Sequence, residues 1–238
     1  MKRYGVAAIG AMCAFALSMS VLAQETPQEA NTQDAQRQGS PRSGATSGMS
    51  FQPKGLPDKR TVHITGENPG LQLRDKANGP ITADFNYWHV NWSPVGTGHV
   101  CFMTTGTGTG PNDLRVVLTD NEKLAEYVTN ETMAKLVPNF NKPAYKVIKA
   151  TFKTTGDTLT ERSEHCISDQ YTIVATWRQI TPGKFGGMDP NNGFFMNFII
   201  QMAAEGEITV NGKRLPGAVL PGPGRPPAYL AFAETWLK

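Results

Sequence analysis

The sequence predicts an all-β fold, an antiparallel barrel or sandwich, with one short helical insertion at about residues 121–136. The first observation is that short runs rich in β-branched and aromatic residues recur from residue 60 onward, separated by Gly, Pro, Asn and Asp. The second is the alternation of apolar and polar side chains along residues 81–92. The third is Asn211-Gly212, which has the chemistry of a type I′ hairpin turn.

The runs that we expect to be strands follow one another closely enough for a meander of hairpins around one apolar interior. Such an architecture is similar to that of lipocalin-like and calycin-like barrels. The likeness is one of architecture alone, and it implies no function. The predicted strands cover residues 60–65, 71–74, 81–92, 99–105, 114–119, 145–154, 158–166, 171–180, 194–203, 207–210 and 228–237.

The N-terminus has the three parts of a secretory signal peptide. Two basic residues precede an apolar stretch, 4–22, and Val21 and Ala23 occupy the −3 and −1 positions of a cleavage site. A membrane-spanning helix is the competing interpretation, because the apolar stretch is nearly long enough. The small residues at its end favour cleavage. We therefore expect residues 1–23 to be removed and the protein to be exported, to the periplasm or to the medium.

The composition changes sharply after the leader. Residues 24–56 are dominated by Gln, Ser, Thr, Gly, Asn, Pro and Arg, which predicts a disordered, low-complexity spacer. Residues 57–238 have the right length for a single mostly-β domain, and we expect no membrane span after cleavage. The formal charge falls from +3 to +1 once Lys2 and Arg3 leave with the leader. A nearly neutral chain does not indicate nucleic acid as a partner.

Two cysteines, Cys101 and Cys166, remain when the leader and its Cys13 are removed. Each lies in a predicted strand, and an exported chain enters an oxidising compartment, so we expect a Cys101–Cys166 disulfide. Closing so long a loop would stabilise the fold by roughly 4 kcal/mol. The alternative is a pair of buried thiols that never meet.

The helical insertion is predicted from its capping residues and its apolar spacing. Asp120 can cap a helix that runs to about Tyr127, and a second short helix is expected to follow and to stop before Pro138. Leu124 and Val128 fall on one face. We expect this segment to pack on the sheet.

Alternation within the predicted strands shows which side chains face inward. Along residues 81–92 the odd positions are apolar at first and end in His89 and Asn91, and polar groups at the end of an inward face are typical of a pocket floor or barrel mouth. Aromatic side chains on the inward faces of other strands would complete an apolar pocket. The predicted ligand-binding residues are Tyr87, His89, Asn91, Phe198 and Phe232.

His89 and Glu234 form the one acid–base pair that the sequence motivates. Both stand on otherwise apolar faces, and a histidine oriented by a carboxylate can act as a general base. The alternative is a histidine at the water boundary and a glutamate paired with Lys or Arg. The pair is therefore a weak catalytic candidate.

No metal site or cofactor is expected. The mature chain has four histidines, which form neither an H-x-H nor an H-x-x-x-H pair, and no phosphate-binding or dinucleotide motif occurs. The leading hypothesis is an exported binding protein for a small, largely apolar or aromatic molecule held inside the sheet. The alternatives are a hydrolase, isomerase or lyase that uses a His–carboxylate pair, and a protein-interaction module.

Overall fold

A computed structural model describes residues 60–189 and 193–238, so the predicted signal peptide (1–23) and spacer (24–56) lie outside the described residues. The described part is mostly β, as predicted. Its strands are β1 Val62–Glu67, β2 Gly70–Arg74, β3 Ile81–Trp92, β4 Gly98–Thr105, β5 Arg115–Thr119, β6 Lys146–Lys149, β7 Thr151–Gly156, β8 Glu161–Ile167, β9 Thr172–Ile180, β10 Lys184–Met188, β11 Phe195–Val210, β12 Lys213–Arg214 and β13 Ala228–Leu237.

The strands form one large mixed sheet rather than a purely antiparallel one. Its main path runs β6-β5-β4-β3-β1-β13-β11-β9-β8-β7, with β2, β10 and β12 attached beside it. The β5–β6 pair is parallel, because the helical insertion carries the chain back to the end of the sheet where β5 began. The two strands at the ends of the path, β6 and β7, are separated in the chain only by Ala150.

The long strand β11 joins the two halves of the sheet. Its first part pairs with β13, and its second part pairs with β9. The sequence predicted two strands here, 194–203 and 207–210. They merge because the residues between them, including Glu205 and Gly206, continue the ladder with β9.

The two halves face each other across a first core, which is filled with large side chains. Trp177, Phe85 and Tyr87 are among its largest fully buried members, and the Trp177 indole donates a hydrogen bond to the Gly70 carbonyl at 3.1 Å. Both halves of the sheet contribute side chains to this core, since Trp177 lies on β9 and Phe85 on β3. The interior that the sequence predicted is therefore occupied by the protein's own aromatic side chains.

A second core lies on the other face of the β3 side of the sheet. Trp88 and Val90, at the even positions of β3, pack here with Leu124 and Val128 of the helical insertion. The insertion consists of α1 Glu122–Tyr127, a π-helical turn Val128–Met133 and α2 Ala134–Leu136. It packs on the sheet as predicted. No helix within the described ranges is long and apolar enough to cross a membrane.

The start of α1 differs from the prediction. Its N-cap is Asn121, whose side chain accepts a hydrogen bond from the Leu124 amide, and not Asp120. The carboxylate of Asp120 does not cap the helix, because it accepts hydrogen bonds from the backbone and the imidazole of His99. The predicted cap is therefore part of the cleft described below.

The predicted disulfide is wrong. Cys101 on β4 and Cys166 on β8 are both free, both fully buried in the first core, and not at disulfide distance. Burial raises the pKa of Cys166 well above its usual range, and the neighbouring Cys101 thiol adds to the shift. They serve as small apolar core residues.

His63 on β1 anchors the helical insertion to the sheet. Its ring lies 2.7 Å from the Tyr127 hydroxyl through Nδ1 and 3.0 Å from the Thr132 hydroxyl through Nε2. Burial, aided by the charges of Lys238 and Lys135, lowers the pKa of His63 from 6.5 to about 4. The folded protein therefore holds this imidazole neutral at neutral pH.

We expect His63→Gln to make the folded state less sensitive to acid. In the native chain the unfolded state takes up a proton below pH 6.5 while the folded state resists it until about pH 4, so stability falls across this window. The loss amounts to about 3 kcal/mol. Glutamine keeps hydrogen-bonding groups at the site but does not titrate. Urea unfolding at pH 4.5 and 7.5 measures the difference; an equal acid loss in both proteins would contradict the assignment.

Candidate functional site

An open cleft of about 990 Å³ lies where the first core ends at the surface. Pairing between strands brings its wall together, because His89 on β3 stands directly opposite His99 on β4, and Thr119 on β5 stands beside Lys149 on β6. The polar side chains that line it include His89, Asn91, His99, Asp120, Glu122 and Lys149. It is a polar site, not the apolar interior that the sequence predicted.

His99 is held between two other rings. The His89 ring stacks on one face, with centroids 4.5 Å apart and an interplanar angle of 14°. Phe152 from β7 stacks on the other face at 4.8 Å and 18°. Because both faces are covered, only the edge of the His99 ring can meet a ligand.

Hydrogen bonds to Asp120 also fix the orientation of His99. Asp120 Oδ2 lies 2.6 Å from His99 Nδ1, and Asp120 Oδ1 accepts the His99 backbone amide at 2.7 Å. Gly98 permits this approach, since a Cβ there would stand 2.5 Å from Asp120 Oδ1 and the backbone φ is +143°. The carboxylate is an acceptor only, so Nδ1 of His99 carries a proton that points to it, and in the neutral ring the lone pair is on Nε2.

The remaining imidazole nitrogens are available to a ligand. His99 Nε2 and both ring nitrogens of His89 make no hydrogen bond to any residue that the structure describes, and none is enclosed by protein. Burial lowers the pKa of His89, with His99 adding to the shift and Glu67 opposing it. His89 is therefore neutral at neutral pH. Across residues 60–189 and 193–238, no group of three or more His, Cys, Asp or Glu could hold a metal ion.

A buried ion-pair cluster lies behind the cleft. Arg162 on β8 binds Glu164 at 2.7 Å and Glu67 at 2.6 Å, and Thr154 donates a hydrogen bond to the second oxygen of Glu164 at 2.7 Å. Glu67 is the β1 partner of His89 in the strand register. The cluster thus extends from Glu67, beside His89 of the cleft, to the fully buried Glu164.

The predicted ligand-binding residues are divided between three places. His89 and Asn91 lie in the cleft. Tyr87 is buried in the first core, and Phe232 packs against that core beneath the Arg162 guanidinium. Phe198 belongs to the second core, on the opposite face of the sheet. The structure therefore brings only His89 and Asn91 together.

His89 and Glu234 are not brought together either. His89 follows Tyr87 on the first-core face of β3, whereas Glu234 shares the second-core face of β13 with Trp236. The sequence placed Phe232 and Glu234 on one face. The structure separates them because Ala233 has a φ of +48° and the register shifts at this point, a β-bulge that reverses the faces.

The sequence missed His99, Asp120 and Lys149 as members of the site. A hairpin signal was available for His99, because a turn centred in residues 93–97 places His89 and His99 opposite each other. The sequence predicts Asp120 to be a helix cap, and nothing in its neighbours indicates an imidazole 21 residues earlier in the chain. Lys149 reaches the cleft through a parallel pairing that no local pattern reveals.

No family model matches the chain, and no curated protein or solved structure matches it either. The function has to be argued from the cleft itself.

Proposed function

We propose that this protein is an exported binding protein for a small polar molecule that occupies the His89–His99 cleft. The observation that carries the proposal is the pair of stacked imidazoles that lines a cleft of about 990 Å³. A volume of this order accommodates a small-molecule ligand. Export is proposed from the leader-like N-terminus, with its apolar stretch and its Val-x-Ala ending.

The chemistry of the wall indicates what the ligand carries. His99 Nε2 presents a lone pair, so the ligand group that meets it is an O–H or N–H donor. Asn91 supplies an amide that can both donate and accept, and Lys149 supplies a cation. The sequence predicted a largely apolar ligand inside the sheet. We place a polar ligand in the cleft because Trp177 and its neighbours fill the interior.

The test is binding of small phenols, hydroxy acids and N-heterocycles, measured by ligand-observed NMR with the native protein and with His89→Phe. Phenylalanine preserves the ring that stacks on His99 but removes both nitrogens. Losing a hydrogen bond weakens binding by about three- to tenfold. His165→Phe is the matched control, because His165 lies on β8 and binds the Thr155 hydroxyl away from the cleft. Equal affinity of the native and His89→Phe proteins for every ligand would contradict the proposal.

A further inference from the structure

We infer that the cleft is also a proton-transfer site, in which His99 is the general base and Asp120 the positioning residue. The inference rests on the proposed function, because it needs a small molecule in the cleft. It goes beyond binding by assigning a reaction type, the removal of a proton from the ligand, and the residue that receives that proton.

The first argument is the tautomer of His99. Asp120 Oδ2 lies 2.6 Å from Nδ1 and accepts its proton, so the basic lone pair of the neutral ring is on Nε2, and His99 lines the cleft. When Nε2 takes a proton, the positive imidazolium stays hydrogen-bonded to the negative carboxylate. The positive charge therefore forms next to a carboxylate.

The second argument is the rigidity of the base. The His89 and Phe152 rings, with centroids 4.5 Å and 4.8 Å from that of His99, restrict rotation of the His99 ring. The His99 backbone amide donates a hydrogen bond to Asp120 and fixes the backbone as well. The Thr119 hydroxyl also donates to the His99 carbonyl at 2.7 Å. A base held in one orientation avoids the entropic loss of positioning it during the reaction.

The third argument is access. The His99 side chain retains 25 % of its exposure although both ring faces are covered, so the exposed part is the edge. Lys149 lines the same cleft and is exposed, which places a cation near the negative charge that proton removal leaves on the ligand.

The step is balanced without a metal, a redox partner or water. The ligand's acidic C–H, N–H or O–H bond breaks, its electron pair stays on the ligand, and the proton moves to Nε2. The same proton then returns to another ligand atom, which is an isomerisation, or a leaving group departs, which is an elimination. The substrate class is a small molecule with a proton acidified by a neighbouring carbonyl or electron-poor ring.

The experiment uses nitrobenzisoxazole, a small aromatic probe with an acidic ring C–H. Removal of that proton breaks the ring N–O bond, and the electron pair ends on the oxygen as a coloured phenolate. A C-methyl analogue of the probe has no removable proton and reports binding alone. Second-order rate constants are measured for the native protein, Asp120→Asn and Glu126→Gln.

We expect Asp120→Asn to lower the rate constant about 100-fold. The asparagine amide would donate a hydrogen bond to Nδ1 of His99, which puts the lone pair on Nδ1 and the ring proton on Nε2. Glu126→Gln removes a carboxylate from an exposed position of α1 outside the cleft and should leave the rate unchanged. Binding of the methyl analogue should be retained in both variants. The ¹⁵N shifts of His99 should show the tautomer change in Asp120→Asn, which a merely structural loss would not produce.

Equal rate constants for the native protein and Asp120→Asn overturn the inference, whether or not the methyl analogue binds. An equal loss in Glu126→Gln also overturns it, since the effect would then not depend on Asp120. The proposed binding function fails on a different result: no ligand of the panel, and neither benzisoxazole, perturbs His89 or His99. The two failures are therefore distinguishable.

Discussion

Arg162→Met is expected to lower the free energy of unfolding by about 3–5 kcal/mol. Arg162 is the cation between two carboxylates, and its side chain is 10 % exposed while that of Glu164 is 0 % exposed. Removing the guanidinium leaves the Glu164 carboxylate in the interior, where the Thr154 hydroxyl is its one remaining hydrogen-bond partner among the described residues. Burying an unpaired charge is costly because the protein interior cannot replace its hydration. Chemical denaturation at pH 7 measures the change.

A matched control exists on the surface. Arg178 also binds two glutamates, Glu161 at 2.5 Å and Glu207 at 3.1 Å, but its side chain is 37 % exposed. We expect Arg178→Met to change stability by less than about 1 kcal/mol, because exposed ion pairs are screened by water. Adding Glu164→Gln to Arg162→Met should recover part of the loss. Equal effects of the two arginine substitutions would contradict the burial argument.

Glu234→Gln is expected to stabilise the protein at alkaline pH and to change little at pH 5. Burial raises the pKa of Glu234 from 4.5 to about 8, and Trp236 opposes the shift only in part. The Oε2 atom of Glu234 has no hydrogen-bond partner among the residues that the structure describes. Because the folded state keeps its proton above the pH at which the unfolded state loses it, native stability falls as pH rises from about 4.5 to about 8.

The glutamine variant should not show this fall. At pH 8.5 it should exceed the native protein by about 4 kcal/mol, measured by urea unfolding at several pH values. Glu126→Gln, at an exposed position of α1, should follow the native curve. Parallel curves for the native protein and Glu234→Gln would mean that the carboxyl group is ionised in the folded state and has a partner.

Local pattern was enough to predict the mostly-β class and the positions of most strands. The alternation along β3 correctly placed Phe85 and Tyr87 in a core and His89 at its polar end, because a strand's side chains alternate regardless of what packs against them. The Asn211-Gly212 turn is also confirmed, with φ values of +52° and +76° that join β11 to β12.

Features that depend on pairing between distant strands could not be predicted. A single bulge at Ala233 moved Glu234 to the other face, and alanine carries no sequence signal for a positive φ. The disulfide was predicted from the redox compartment alone, whereas bonding depends on the distance between two strands, β4 and β8, that no local pattern relates. His99 and Asp120 meet for the same reason, across the β4–β5 region of the sheet.

The claim on which the account depends is that the ligand site is the cleft and not the interior. Imidazole ¹⁵N and aromatic NMR of the native protein during titration with a panel ligand tests it directly. We predict that the resonances of His89 and His99 shift, while those of His63 and His165 stay in place. Shifts centred on Trp177 and Tyr87, with His89 and His99 unmoved, would place the ligand inside the first core and contradict the account.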